Sequence, residues 1–196
     1  VEPIFMTSRD GLTFRRWNQA VVPESAPQDR RGNRSNYMTW GLVELPGRPK
    51  EMSVYATEAY YTGPDSRVRR FEYRKDGFVS LRGDAQGGAL ITKLIKLGRR
   101  ADRLTLNYRA NQGGQVRVGL YQPNGTAIPG HSLSECQPLT GDQLNQTVMW
   151  KSVSGNIVGK TNADISHLRR NHPAVRLRFE LKNADLFSLQ FEPWLR

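Results

Sequence analysis

Residues 175–181 alternate strictly between apolar and charged side chains, as Val-Arg-Leu-Arg-Phe-Glu-Leu. A period of two places the apolar residues on one face of a β-strand and the charges on the other. Short runs rich in β-branched and aromatic residues recur along the chain, and turn-forming residues separate them. Helical spacing is almost absent, apart from one turn expected within residues 162–170. The sequence therefore predicts an all-β, antiparallel fold.

The predicted strands fall into two groups. Four strands at regular spacing, as one propeller blade requires, cover residues 4–7, 37–45, 52–61 and 68–73. About seven further strands cover residues 78–81, 88–93, 103–108, 115–121, 147–150, 175–181 and 186–191. Seven short antiparallel strands with one polar face each indicate a two-sheet sandwich. We predict a propeller-blade-like four-stranded sheet over residues 1–70 and a jelly-roll-like antiparallel β-sandwich over residues 71–196.

Two short motifs predict turns. In Asp10-Gly11 the carboxylate can accept hydrogen bonds from backbone amides, and glycine can adopt the left-handed angle. We therefore interpret Asp10 as a turn former and not as a catalytic acid. Asn124-Gly125 follows Pro123 between two predicted strands, which predicts a hairpin with positive φ angles.

The net charge of +11 is the most informative feature of the composition, and most of the basic residues are arginine. Arginine matches carboxylate, sulfate and phosphate groups through its planar fork. A basic chain is therefore either a well-solvated protein or a binder of an anionic partner, and the scattered arginines favour the first account. No apolar run reaches 18 residues, so we predict no membrane span. The single cysteine, Cys136, excludes an internal disulfide and is expected to be a buried thiol.

Several longer motifs together resemble one known family. The first group comprises residues 5–11, 16–20, 40–44 and 55–60, and the second comprises residues 70–81, 128–130, 136–142 and 175–181. They are similar to the last blade and the attached β-sandwich of five-bladed β-propeller glycoside hydrolases related to families 32 and 43. The resemblance implies a secreted or periplasmic protein of bacterial type. Because the sequence also begins inside a predicted strand, we expect that a signal peptide or a whole upstream region precedes Val1.

The same resemblance implies that catalytic carboxylates come from several blades around a central funnel. This chain holds one blade at most, whereas glycoside hydrolysis needs two carboxylates about 5–10 Å apart. Glu44 and Glu58 are the candidates in the first part, and Glu58 lies among tyrosines that could raise its pKa. The structural alternative is that Glu58 is an edge-strand carboxylate paired with Arg69 or Arg70. We therefore expect no hydrolysis by the chain on its own.

A sugar site is easier to derive from these residues than a catalytic one. Such sites combine an aromatic platform with polar groups that bind hydroxyls. The aromatic candidates are Trp17, Tyr37, Trp40, Tyr60 and Tyr61, and the polar candidates are Arg34, Asn36, Arg69 and Arg70.

No cofactor is predicted. The three histidines lack the spacing of zinc ligands. A structural calcium ion held by oxygen ligands is compatible with the sequence, and its candidate ligands are Asp84, Asp102, Asp142 and Asp185.

Three functions stay open at this stage. The first is a non-catalytic carbohydrate-binding or accessory module associated with glycoside hydrolysis, with polysaccharide or oligosaccharide, including anionic polysaccharide, as its partner. The second is a glycoside hydrolase that is active only when assembled or full length. The third is a nucleic-acid-binding protein, which the sequence favours least because basic and aromatic residues interleave only in residues 67–75. A single four-stranded sheet leaves apolar faces uncovered, so it must pack either on the sandwich or on a copy of itself, and a homodimer is also expected.

Overall fold

The computed structural model describes residues 1–25, 35–61, 63–151 and 161–194. Over these residues the chain is all-β with antiparallel sheets, which confirms the predicted fold class. The described segments contain no helix that is long and apolar enough to cross a membrane. The chain divides into two compact units, Val1–Phe78 and Val79–Arg196.

Where the first unit is described, it contains two antiparallel strand pairs. Its strands are β1 (Ile4–Ser8), β2 (Phe14–Ala20), β3 (Glu51–Glu58) and β4 (Arg67–Arg74), with a 3-10 turn at Gly63–Asp65 between the last two. β1 pairs with β2, and β3 pairs with β4. The predicted four-stranded sheet is thus realised as two two-stranded ladders.

The predicted strand over residues 37–45 is irregular in the structure. It joins β3 only through isolated bridges from Met38 to Ala56 and from Val43 to Ser53. β2 takes part in a regular ladder instead, although it was not predicted. Its side chains are mostly exposed, so it lacks the apolar alternation that identifies a half-buried strand.

The turn between β1 and β2 forms as predicted. Oδ1 of Asp10 accepts hydrogen bonds from the backbone amides of Leu12 at 2.9 Å and Thr13 at 2.8 Å, and from the hydroxyl of Ser8 at 3.0 Å. Gly11 has a φ of +74°. The hydrogen bonds from Thr13, Leu12 and Ser8 hold the pKa of the Asp10 carboxyl well below its usual range. Asp10 is therefore a structural residue of this turn.

The described residues of the second unit form eight strands and one short helix. They are β5 (Leu81–Gly83), β6 (Gly88–Ile91), β7 (Ile95–Lys96), β8 (Arg103–Tyr121), β9 (Asp142–Thr147), β10 (Trp150–Lys151), β11 (Thr161–Asn162), α1 (Leu168–Asn171) and β12 (Ala174–Glu192). The main sheet has the order β5-β12-β8-β9, and β6 and β7 also pair with β12. β10 and β11 form a separate ladder.

Two pairs of predicted strands merge into single long strands. β8 covers both predicted segments 103–108 and 115–121, and β12 covers both 175–181 and 186–191. The β8–β12 ladder absorbs the intervening residues through register shifts at Lys182/Ala184 and Leu186/Ser188. The shift at Leu186/Ser188 has the one extra residue of a β-bulge, which bends a strand without ending it. At Lys182/Ala184, residues 111–114 of β8 have no ladder partner in β12.

The core of the second unit lies on the inner face of this long ladder. Its buried side chains include Leu104, Leu106, Tyr108, Val116, Val118 and Leu120 from β8, and Val175, Leu177, Phe179 and Leu181 from β12. Residues after β8 cover them, including Ile128, Cys136, Val148, Trp150, Ile165 and Leu168. Cys136 is buried as predicted, and burial raises the pKa of its thiol. The alternation in residues 175–181 therefore marks one side of this core.

Asn124-Gly125 forms a turn, but only Gly125 has a positive φ, of +88°. The amide of Gln122 donates to the carbonyl of Thr126 at 2.8 Å, which closes a loop of three residues. Loops of this length need one left-handed residue, and glycine occupies that position here. The prediction that both residues adopt positive φ angles was therefore wrong.

Candidate functional site

Three of the predicted aromatic residues meet near the end of β3. The ring centroids of Tyr37 and Tyr60 are 4.8 Å apart, and those of Tyr60 and Tyr61 are 4.0 Å apart. Tyr61 is 83% exposed, whereas Tyr60 is partly buried beside it. A hydrogen bond with the Tyr61 side chain raises the pKa of Tyr60. We call Tyr37, Tyr60 and Tyr61 the tyrosine cluster; it presents an aromatic surface to solvent.

The backbone beneath the tyrosine cluster has an unusual conformation. Ala59 has a φ of +53° and Tyr61 a φ of +61°. Positive φ is sterically costly for residues other than glycine, and a bulky aromatic residue rarely adopts it. Such strain persists only where the surrounding structure holds it, and it concentrates at functional sites. The turn at the end of β3 therefore holds two non-glycine residues in a backbone conformation that their side chains disfavour.

Glu58, the last residue of β3, stabilises the base of this turn. Its side chain is wholly buried, and its Oε2 accepts hydrogen bonds from Nε of Arg67 at 2.8 Å and from Nε of Arg69 at 2.7 Å. Arg67 lies opposite Glu58 in the β3–β4 ladder. Arg69 lies opposite Ala56, whose small side chain occupies little of the space next to Glu58. The guanidinium groups compensate the buried negative charge, as predicted by the structural alternative for Glu58.

Arg70 lies on the other face of β4, because consecutive strand residues point in opposite directions. Its guanidinium contacts Ser53 Oγ at 3.1 Å and forms an ion pair with Glu72. Of the two arginines considered as partners of Glu58, Arg69 is therefore the one that contacts it. Glu44, the second acidic candidate, pairs with Lys75 at 2.8 Å.

The remaining predicted ligand-binding residues have separate environments. Asn36 is buried, and its side-chain amide donates to the carbonyl oxygens of Val22 and Pro23 at 3.1 and 3.3 Å. Trp17 is partly buried on β2, and the guanidinium carbon of Arg15 is 4.4 Å from its ring centroid. Trp40 is fully exposed. Arg34 lies outside the described residues.

The second unit carries a groove that the sequence did not reveal. It has a volume of about 380 Å³ and lies on the outer face of β6, β12 and β8. It is lined by Gln86, Gly87, Gly88, Ala89, Gln115, Arg117, Glu180, Leu181 and Lys182. These residues come from three strands that are distant in sequence, so no local motif marks them. Only the polar alternation of residues 175–182 could have indicated this face.

The four aspartates considered as calcium ligands are engaged by other groups. Asp84 accepts amide hydrogen bonds from its own turn, and Asp142 pairs with Arg109 at 3.0 Å. Asp102 pairs with Arg169 at 3.1 Å, and Asp185 pairs with Arg82 at 2.8 Å. In the described part of the chain, no three acidic, histidine or cysteine residues are grouped so that they could hold a metal ion.

The chain matches no protein-family model, no curated protein and no solved structure. The resemblance to propeller glycoside hydrolases therefore stays a prediction, and a function has to be argued from the residues themselves.

Proposed function

We propose that the protein is a non-catalytic carbohydrate-binding or accessory module whose ligand is a polysaccharide or oligosaccharide. The tyrosine cluster is the observation that carries this proposal. Exposed aromatic rings that are held in fixed positions suit the C–H faces of sugar rings, which are apolar and flat.

Polar groups close to the tyrosine cluster support the same proposal. Glu58 immediately precedes the turn that bears Tyr60 and Tyr61, and its partners Arg67 and Arg69 have partly exposed side chains. Arginine guanidinium groups and tyrosine hydroxyl groups donate hydrogen bonds, and the hydroxyl and carboxylate groups of sugars can accept them. The three charged residues also carry a net charge of +1, which favours an acidic saccharide over a basic ligand.

The environment of Glu58 supports binding over catalysis. A general acid or nucleophile must reach the glycosidic bond, but Glu58 has no exposed side-chain surface and contacts two guanidinium groups. Both features fit a carboxylate that holds a turn in place. Hydrolysis by an assembled or full-length protein remains the alternative, with catalytic residues supplied from outside this chain.

A glycan array, followed by calorimetric titration of any ligand found, tests the proposal. Tyr61→Ala should weaken binding about tenfold or more, because removal of one stacking ring costs about 1.4 kcal/mol. Tyr61→Phe retains the ring and should bind nearly as the native protein does. Leu12→Ala removes an equally exposed apolar side chain from the β1–β2 turn and serves as the matched control.

The array should include single-stranded DNA and should be read at low and high salt. Aromatic rings also stack on nucleobases, and the charge of the chain would attract a phosphate backbone. Glycan binding by the native protein that is lost in the Tyr61→Ala variant would support the proposal. Binding of DNA alone, with no glycan retained at either salt, would refute it.

A further inference from the structure

We propose that the groove on the second unit is a separate binding site for an acidic saccharide bearing a carboxylate, such as a uronic acid unit. This inference rests on the proposed function for the saccharide class of the ligand. It adds the position of the site and the charge of the ligand.

The strand register brings the charged residues of the groove onto one face. Glu180 of β12 lies opposite Arg117 of β8, and Lys182 lies opposite Gln115 two residues further along. Residues directly opposite in an antiparallel ladder have neighbouring side chains on the same face. The side chains of Arg117 and Lys182 therefore lie on the same face, diagonally across the ladder from each other. Gln115 and Glu180 occupy the other two positions of this group of four.

The balance of charge in this region is positive. Glu180 forms an ion pair with Arg178, its neighbour on the same face of β12, at 3.6 Å. Among the lining residues, the two cations Arg117 and Lys182 therefore outnumber the one carboxylate, Glu180. Arg117 can bind a carboxylate through its planar fork, and Lys182 supplies a compact second charge. The groove is thus suited to one anionic group and not to a cation.

The turn that precedes β6 forms one side of the groove and allows a ligand to come close to the backbone. The Asp84–Gly88 turn has no side chain at Gly87 or Gly88, and the carboxylate of Asp84 fixes it by accepting the amides of Gln86 at 2.9 Å and Gly87 at 3.1 Å. Glycine permits such close approach because it has no Cβ atom. The ordered turn leaves an accessible, preformed wall next to β12.

The remaining lining groups favour a sugar over other anions. Gln86, Gln115 and Glu180 can exchange hydrogen bonds with several hydroxyl groups, which inorganic anions lack. The lining contains no aromatic ring on which a nucleobase could stack. A volume of about 380 Å³ is at the small end of the range for ligand sites, so the groove suits one or two sugar rings.

Calorimetric titration of the full chain with digalacturonate tests the proposal, and the dimethyl ester of the same disaccharide, in which both carboxylates are esterified, is the matched uncharged probe. The native protein should bind the acid at least about tenfold more tightly than the ester, and the difference should shrink with added salt because salt screens the attraction. The double variant with Arg117→Gln and Lys182→Gln should lose this preference. Arg170→Gln, which removes an exposed charge from α1, should retain it.

Lys182→Gln alone and Arg117→Lys keep the test decisive if the double variant does not fold. Lys182 is exposed, so its replacement should leave the thermal midpoint of unfolding unchanged. The same replacement should weaken the binding of digalacturonate several-fold. Arg117→Lys keeps the charge but removes the planar fork, so a partial loss would support bidentate binding.

The outcomes separate this inference from the proposed function. Loss of digalacturonate binding in the groove variants, with Tyr61→Ala unaffected, supports the groove even if the tyrosine cluster binds nothing. Glycan binding that depends on Tyr61 but not on Arg117 or Lys182 overturns the groove and leaves the proposed function intact. Equal affinity for acid and ester, or displacement of the acid by single-stranded DNA at lower concentration, also overturns the groove.

Discussion

Arg69 donates a hydrogen bond from its Nε to Oε2 of Glu58 at 2.7 Å, and this carboxylate has no exposed surface. A buried carboxylate of this kind is destabilising unless donors compensate it, and its removal leaves the donors without their partner. The contact therefore explains how the strained turn that carries Tyr60 and Tyr61 is held at the end of β3.

Glu58→Gln should destabilise the first unit by about 1–3 kcal/mol, because a neutral amide replaces an acceptor that serves two guanidinium groups. Glu44→Gln is the matched control: Glu44 and Lys75 form an exposed pair, so the change should stay below about 1 kcal/mol. Urea denaturation followed by tyrosine and tryptophan fluorescence measures both. Equal stability of the two variants would contradict the structural role of Glu58.

Asp185→Ala should destabilise the second unit more than Asp142→Ala. Asp185 is buried and accepts hydrogen bonds from Arg82 Nε at 2.8 Å and Ser80 Oγ at 3.0 Å, whereas Asp142 and Arg109 form an exposed pair. The expected costs are about 1–2 kcal/mol for Asp185 and about 0.5 kcal/mol or less for Asp142. Chemical denaturation at neutral pH checks the order, and a larger loss for Asp142→Ala would contradict it.

The hydrogen bond from Arg82 holds the pKa of the Asp185 carboxyl below its usual range. Its contribution to stability is therefore present above the unfolded-state pKa, near 3.9, and is lost as the pH falls through the lower folded-state value. Accordingly, the native protein and Asp185→Ala should converge in stability as the pH falls below about 4. A constant difference between them would show that Asp185 acts through packing and not through its charge.

Gly114→Ala should destabilise the second unit by about 1–3 kcal/mol. A Cβ atom at this position would lie 2.4 Å from the carbonyl oxygen of Asn183 and 2.8 Å from that of Lys182, and backbone atoms in the middle of a ladder cannot easily move away. At Gly98 an added Cβ would have no neighbour within 4 Å, so Gly98→Ala should change the unfolding free energy by less than about 0.5 kcal/mol. Thermal unfolding of both variants measures the contrast, and similar midpoints would contradict this account.

The same glycine shows where sequence reasoning about the fold succeeds and fails. Alternation identified residues 175–181 as a strand, because the side chains of one face are buried in the core. Residues 103–108 and 115–121 were predicted as two separate strands, but the structure joins them in β8. Here Gly114 allows the close approach of Asn183 across the ladder, and this contact depends on residues about seventy positions away. Local patterns carry no information about such a partner.

The tyrosine cluster was partly predictable from the sequence, whereas the groove was not. The tyrosine cluster was predicted in part because Tyr60 and Tyr61 are adjacent, and Tyr37 joins them through pairing of residues 37 and 57. Asn36 was predicted to bind a ligand, but its side-chain amide donates hydrogen bonds inside the fold to the carbonyl oxygens of Val22 and Pro23. The groove was missed because its residues converge only through the register of β6, β12 and β8. The composition indicated an excess of arginine, but not that Arg117 and Lys182 would line one groove.

His131 should make the stability of the second unit dependent on pH. Its ring is buried against Trp150, with centroids 5.1 Å apart, and Nδ1 lies 3.3 Å from the carbonyl oxygen of Pro129. Nε2 is buried and has no hydrogen-bond partner among the described residues. Burial lowers the pKa of His131, because the charged imidazolium would lose its hydration, and this effect exceeds that of the contact with Pro129, which raises the pKa.

The direction of the effect follows from the number of protons that each state binds. Below the unfolded-state value of about 6.5, the unfolded chain binds a proton at His131 that the folded chain does not. Stability should therefore decrease as the pH falls below about 6.5, by up to about 1.4 kcal/mol per pH unit, until the folded-state pKa is reached. His131→Gln should reduce this slope, because it removes the buried group that the folded chain keeps uncharged. Urea denaturation between pH 7.5 and 5 measures the slope as a function of pH. An unchanged slope in His131→Gln would assign the pH dependence to other groups.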